Sequence, residues 1–154
     1  MGGIISTGKK IFDSAAENLR ETVENDDDNH WRARQLLLKN FNIDSAWTLL
    51  NELIQNAVDS GATNIGLSIQ NDAMILQHNG KEKLTRDAIE GLCAFNMSTK
   101  RLDSVGFMGL GFKSFVHYFS KVTIADDKVR FSTKCPITGI AHKDIRQLYA
   151  PYWI

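Results

Sequence analysis

Three polar side chains recur at helical spacing between residues 45 and 60. Glu52, Asn56 and Asp59 fall within about 60° of one another on a helical wheel, while apolar residues cover the opposite side. An amide oxygen can ligate Mg²⁺, and a nearby carboxylate can orient or deprotonate water. The pattern is typical either of the wet face of a surface helix or of a site for metal-assisted hydrolysis that faces a cleft.

A glycine-rich segment precedes a short predicted helix in the second half of the chain. Gly106, Gly109 and Gly111 lie within six positions, and such a segment lets backbone N–H groups approach a phosphate at a helix N-terminus. Its spacing is G-x-x-G-x-G, so it is not the dinucleotide-binding G-x-G-x-x-G. It is not a P-loop either, because Phe112 stands where the lysine would be. The segment predicts an anion site or a flexible connection.

Two shorter polar segments complete the set of candidate residues. Asn79-Gly80 follows a predicted strand, where it indicates either a tight turn or a polar acceptor that reads a base edge. Lys100 belongs to a polar cluster at residues 98–101. That cluster predicts either a solvated charged loop or a mobile lid whose lysine meets a phosphate.

The elements that must position these residues follow from hydrophobic periodicity. Apolar positions at helical spacing predict helices over residues 10–24, 31–41, 45–60, 84–95 and 112–119. Alternation predicts two hairpins, with strands over residues 63–69, 73–78, 122–125 and 129–132. This order predicts an α+β fold in which helices cover one face of a mainly antiparallel sheet.

Length and composition limit the class of protein. The chain has 154 residues, 43% of them hydrophobic and 23% charged, which fits one globular domain. The net charge is zero, unlike the basic footprint of a dedicated nucleic-acid binder, and no apolar run is long enough to span a bilayer. Cys93 and Cys135 lack metal-ligand spacing and predict thiols in a reducing compartment, so we expect a cytoplasmic location.

Charge is spread unevenly along the chain. Residues 1–30 hold an acidic excess and end in a run of acidic and amide residues that cannot bury itself. We therefore expect an N-terminal helical arm with an acidic linker over residues 1–30. The rest of the chain, residues 31–154, is then expected to form the domain that carries the candidate site.

In their order along the chain, the four polar segments resemble the Bergerat-fold GHKL ATPases. That superfamily includes gyrase B, the ninety-kilodalton heat-shock chaperone, histidine kinases and MutL. The residues that carry the resemblance are Glu52-x-x-x-Asn56-Ala57-x-Asp59, Asn79-Gly80, Ser98-Thr99-Lys100 and Gly106-x-x-Gly109-x-Gly111-Phe112. The first and last of these segments look closest to the sacsin and heat-shock chaperone branch. The resemblance covers roughly residues 44–125 and implies a Bergerat-type two-layer sandwich with a mixed sheet.

The resemblance also implies roles at the matching positions. Asn56 would hold Mg²⁺, and Glu52 would be the general base for the water that attacks the γ-phosphate of ATP. Asp59 would line the nucleotide cleft, and Lys100 would sit in a lid formed by residues 96–111. The backbone N–H groups offered to the triphosphate would be those of Gly106, Gly109, Gly111 and Phe112.

Two departures from the family's pattern affect the expected activity. The family has an aspartate that accepts the adenine amino group, and the best register puts Asn79 in its place, followed by Gly80, with His78 as the other candidate. An asparagine oxygen can accept the same hydrogen bond, but without a charge the bond should be weaker. The family's closing strands with a nucleotide-contacting threonine are not recognised. We therefore expect either an incomplete domain or a shortened one that binds nucleotide poorly.

The expected function is slow, Mg²⁺-dependent ATP hydrolysis coupled to lid closure and conformational change. The alternative is a degenerate Bergerat module that binds nucleotide or partners without hydrolysis. Expected partners are ATP and ADP, together with either a second copy of the chain or further domains of a longer protein. Direct binding to nucleic acid or membrane is not expected. Chaperone-like remodelling and a role in a larger regulatory or defence protein both stay open.

Overall fold

The computed structural model describes residues 2–25, 46–93, 118–134 and 151–154, together with the isolated positions Asp27, Asn29, Arg32 and Leu36. Three α-helices lie in these ranges: α1 (Gly2–Asn25), α2 (Ala46–Asp59) and α3 (Arg86–Cys93). The strands of the same ranges are β1 (Ile65–Gln70), β2 (Ala73–His78), β3 (Lys121–Ala125), β4 (Arg130–Lys134) and β5 (Tyr152–Trp153). None of the described helices is long and apolar enough to cross a membrane.

The helix ends follow the local sequence signals. α2 lies within the predicted range 45–60 and is followed by Gly61, whose φ of 79° is the left-handed conformation that commonly ends a helix. α3 lies within the predicted range 84–95, and the Thr85 hydroxyl accepts a hydrogen bond from the Ala88 N–H at 3.2 Å, as an N-cap does. α1 begins earlier than predicted, at Gly2. The predicted helices at 31–41 and 112–119 lie mostly outside the described residues.

The strands form two antiparallel sheets within the described residues. β1 and β2 make a continuous six-pair hairpin around the predicted turn at Asn71-Asp72, where Asn71 has a φ of 53°. β3, β4 and β5 make a three-stranded sheet in that order. The α+β class and both predicted hairpins are therefore confirmed.

One hydrophobic core joins α1 to the rest of the described chain. Phe12, Ala15 and Leu19 are buried at i, i+3, i+7 spacing along α1. They share the core with side chains from α2, α3 and β4 and from the turn that precedes β4, namely Leu49, Ile89, Cys93, Val129 and Phe131. Helix α1 also approaches the β3–β4 turn closely, since a Cβ built on Gly8 would lie 1.9 Å from the carbonyl oxygen of Lys128.

Asp126 ties the β3–β4 turn to the chain just before α3. Its carboxylate accepts hydrogen bonds from the backbone N–H groups of Leu84, Lys128 and Val129 at 2.7–2.8 Å. Partial burial acts to raise the pKa of Asp126, but these three bonds and the Lys83 ammonium outweigh it and hold the pKa below its ordinary value. The turn and α3 are thus fixed to each other by one charged side chain.

Candidate functional site

The predicted polar stripe lies on helix α2. Glu52 and Asn56 are half-buried, whereas Asp59 is exposed near the end of the helix. The Asp59 carboxylate accepts a hydrogen bond from Gln55 Nε2 at 2.8 Å. The side chains of Glu52 and Asn56 have no hydrogen-bond partner within the described residues. The Glu52 carboxylate and the Asn56 amide therefore each offer a side-chain oxygen, one helical turn apart. Within the described part of the fold, no hydrogen bond uses either of them.

The end of α2 lies directly against the end of β2. The Lys81 N–H donates to the carbonyl oxygen of Ser60 at 2.9 Å, and a Cβ built on Gly80 would lie 1.9 Å from Ser60 Oγ. Ser60 Oγ itself donates to the Ala57 carbonyl at 2.7 Å, which fixes the serine on the last turn of the helix. The structure therefore brings two of the sequence-predicted segments together, the one that ends at Asp59 and the one at Asn79-Gly80.

The side chain of Asn79 closes the open end of the β1–β2 hairpin. Its Oδ1 accepts hydrogen bonds from the backbone N–H groups of Thr63 at 2.9 Å and Asn64 at 2.8 Å. Its Nδ2 donates to Thr63 Oγ1 at 2.9 Å. A carbonyl oxygen has two lone pairs, and both are used here. The atom that was predicted to accept the adenine amino group is thus engaged by the hairpin itself.

His78 and Asn79 border an open groove on the hairpin. The groove has a volume of about 370 Å³ and is lined by Asn64, Ile65, Gly66, Gln77, His78 and Asn79. His78 Nδ1 accepts a hydrogen bond from the Gly80 N–H at 3.1 Å. In the neutral ring the proton then lies on Nε2, which makes Nε2 a donor toward the ring nitrogens of a base rather than an acceptor for its amino group.

Metal ligands are sparse among the residues described. No group of three or more His, Cys, Asp or Glu side chains there could hold a metal ion. A bound Mg²⁺ usually keeps several waters and takes further oxygens from substrate phosphates, so one or two protein oxygens suffice when a nucleotide is present. The side-chain oxygen of Asn56 fits Mg²⁺ in that combination, but not as a metal site made by protein alone.

The other predicted site residues fall elsewhere. Lys100, Gly106, Gly109, Gly111 and Phe112 all lie outside the described residues, so their predicted phosphate contacts stay predictions. Sequence reasoning missed Ser60 and Thr63, which hold the helix end and the hairpin end in place. For Ser60 a signal was present, because Ser60-Gly61 is the stop signal that ends the predicted helix at residue 60. For Thr63 there was none.

Comparisons with known proteins returned no match: no family model, no curated protein and no solved structure matches this chain. They therefore neither support nor oppose the resemblance to the GHKL ATPases. What bears on function is the geometry at the junction of α2 with the β1–β2 hairpin.

Proposed function

We propose that this chain is a nucleotide-binding module of the GHKL type that binds ATP with Mg²⁺ and hydrolyses it slowly. One observation supports the proposal most directly. The end of the helix that carries Glu52, Asn56 and Asp59 lies against Asn79-Gly80, with Ser60 as the contact. The helix that carries the first motif thus ends beside the second motif, which lies about twenty residues later in the sequence, as a shared cleft requires. The proposed fold is the Bergerat sandwich, and the proposed location is the cytoplasm.

The roles proposed for α2 follow from its unused oxygens. Asn56 would hold Mg²⁺ through its side-chain oxygen, and the ion when bound would neutralise charge on the phosphates. Glu52 lies one turn earlier on the same stripe, and its half-buried carboxylate would accept the proton of the attacking water. The glycines at 106, 109 and 111, with Phe112 and Lys100, would contact the phosphates, and residues 96–111 would close over them.

A second candidate function is nucleotide or partner binding without hydrolysis. The observation that favours it is the engaged oxygen of Asn79, since adenine could bind there only by displacing a backbone N–H from Oδ1. Such an exchange gains little, because one hydrogen bond replaces another of similar strength. Weak binding of the base would then leave the module dependent on phosphate contacts or on a partner.

Titration calorimetry of the full chain with ATP, in Mg²⁺ and then in excess EDTA, tests the proposal. We expect Mg²⁺-dependent binding of ATP together with phosphate release above the background of ATP alone. Binding without phosphate release would select the non-hydrolytic module. An absence of both heat and thermal shift at millimolar ATP would contradict ATP hydrolysis and nucleotide binding alike, and would leave only the partner-binding form of the second candidate.

A further inference from the structure

The outer edge of β1 carries backbone groups that no other described strand pairs with. The Asn79 N–H donates to the Asn64 carbonyl at 3.2 Å, so residues 64 and 79 form a hydrogen-bonded antiparallel pair. Pairs alternate along the hairpin, so Gly66 and Ser68 also bond toward β2. The N–H and C=O groups of residues 65, 67 and 69 therefore point away from β2. Within the described residues, no third strand joins this sheet.

The same three residues carry the apolar face of β1. Ile65, Leu67 and Ile69 are 36%, 46% and 74% exposed. Neither strand shows the usual protection of a free edge, because Ile65–Gln70 and Ala73–His78 hold no lysine, acidic residue or proline, and their register has no bulge. An uncharged, regular and apolar edge is one that pairs readily with another strand.

The three apolar residues of β1 are spaced symmetrically about Leu67, and this symmetry identifies the partner. We propose that β1 pairs antiparallel with β1 of a second copy of this chain, about a two-fold axis at Leu67. That axis places Leu67 opposite its own copy and Ile65 opposite Ile69, and all of these are positions whose backbone groups point outward. Apolar cross-strand pairs of this kind stabilise a sheet.

The charge distribution also suits a second copy. Over residues 62–72 the only charged side chain is that of Asp72, and the two-fold axis places it opposite Ala62. No like charges meet, so the self-repulsion that usually keeps identical edges apart is missing. The dimer would contain a four-stranded sheet with one continuous apolar face. A sheet of this size is more stable than an isolated two-stranded hairpin. The contact is isologous and closes as a dimer.

The test measures the full chain without nucleotide, so its outcome is independent of the proposed ATP binding. We expect sedimentation equilibrium, at chain concentrations from about 10 to about 500 µM, to show a monomer–dimer equilibrium whose dissociation constant lies within that range. Residue-resolved amide exchange by NMR should show the N–H groups of Ile65, Leu67 and Ile69 becoming protected as concentration rises. Those of Gly66 and Ser68 should be protected throughout, because β2 already binds them.

Two lysine variants complete the test. Leu67→Lys puts like charges on the axis and should raise the dimer dissociation constant at least about tenfold. Gln77→Lys adds the same charge on the other face of β2 and should leave the dissociation constant unchanged. A wild-type chain that stays monomeric would overturn the proposal. So would outer-edge protection that does not depend on concentration, which would mean that the chain covers its own edge.

Discussion

The backbone of Gly80 lies so close to Ser60 that a Cβ on Gly80 would fall 1.9 Å from the serine Oγ. The His78 ring lies on another side, with Nδ1 2.7 Å from the same position. A side chain at residue 80 therefore cannot be accommodated unless the Ser60 hydroxyl and the His78 ring both shift. The junction between α2 and the hairpin depends on this glycine having no Cβ.

Gly80→Ala should therefore destabilise the fold by about 1–3 kcal/mol, as overpacking at a tight contact does. The matched control is Gly66→Ala in β1, because a Cβ at Gly66 meets nothing within 4 Å. That control should leave stability unchanged or raise it slightly. Urea denaturation measures both variants. Equal stability in the two variants would show that the close approach at Ser60 does not hold in solution.

Asn79 separates a structural role from a base-reading role. Asn79→Ala removes the acceptor of two backbone N–H groups and should destabilise the hairpin by about 1–3 kcal/mol. Asn79→Asp keeps that acceptor, so it should retain stability. If residue 79 also reads adenine, the aspartate variant should keep or improve ATP affinity, because an ionised acceptor forms a stronger bond. Thermal unfolding and calorimetry distinguish the two roles, and unchanged ATP affinity in both variants would direct attention to His78.

Asn56→Ala tests the proposed metal contact. The variant should weaken ATP binding strongly in Mg²⁺ and have little effect in EDTA, because only the metal-dependent part of the affinity involves the amide oxygen. Asn51→Ala is the control, since Asn51 is an exposed amide of the same helix that lies on another side. Titration calorimetry measures the ATP affinity of both variants in Mg²⁺ and in EDTA. Equal losses at the two positions would exclude a specific role for Asn56.

Glu52→Ala tests whether the module is an enzyme. A positioned general base contributes about 10²–10⁴-fold to a rate, so the variant should lose phosphate release while its ATP affinity stays the same or rises. The rise would follow from removing a negative charge near the phosphates. Steady-state phosphate release and calorimetry are measured on the same preparation. If the variant hydrolyses ATP as fast as the wild type, Glu52 is not the general base and is only a polar residue on the solvent-facing side of the helix.

The Asp126 carboxylate predicts a defined pH dependence of stability. Because its folded pKa lies below the ordinary value, its contribution is present above the unfolded pKa of about 3.9 and is lost as pH falls through the folded pKa. Asp126→Asn should be less stable by about 1–3 kcal/mol at neutral pH, with a smaller difference in acid. Asp127→Asn removes only an exposed ion pair with Lys83 and should change stability little. Urea denaturation at neutral and acid pH checks both variants, and a difference for Asp126→Asn that stays constant with pH would contradict this account.

Local patterns were sufficient for the helices and hairpins near the site. The stripe of Glu52, Asn56 and Asp59 and the turn at Asn71-Asp72 are set by periods of 3.6 and 2 residues and by turn chemistry, which short windows of sequence contain. The full length of α1 was not foreseen, because its first turns lack the amphipathic signal that marks residues 10–24.

The tertiary structure alone decided which of these segments meet and which polar atoms remain unused. Nothing in the sequence indicates that the side-chain oxygen of Asn79 accepts hydrogen bonds from the N–H groups of Thr63 and Asn64, or that Gly80 lies against Ser60. These contacts join residues fifteen or more positions apart, and their geometry depends on how the whole hairpin packs against the end of α2. The sequence by itself determined which side chains could do chemistry. Their availability depends on long-range hydrogen bonds, and only the folded chain forms those.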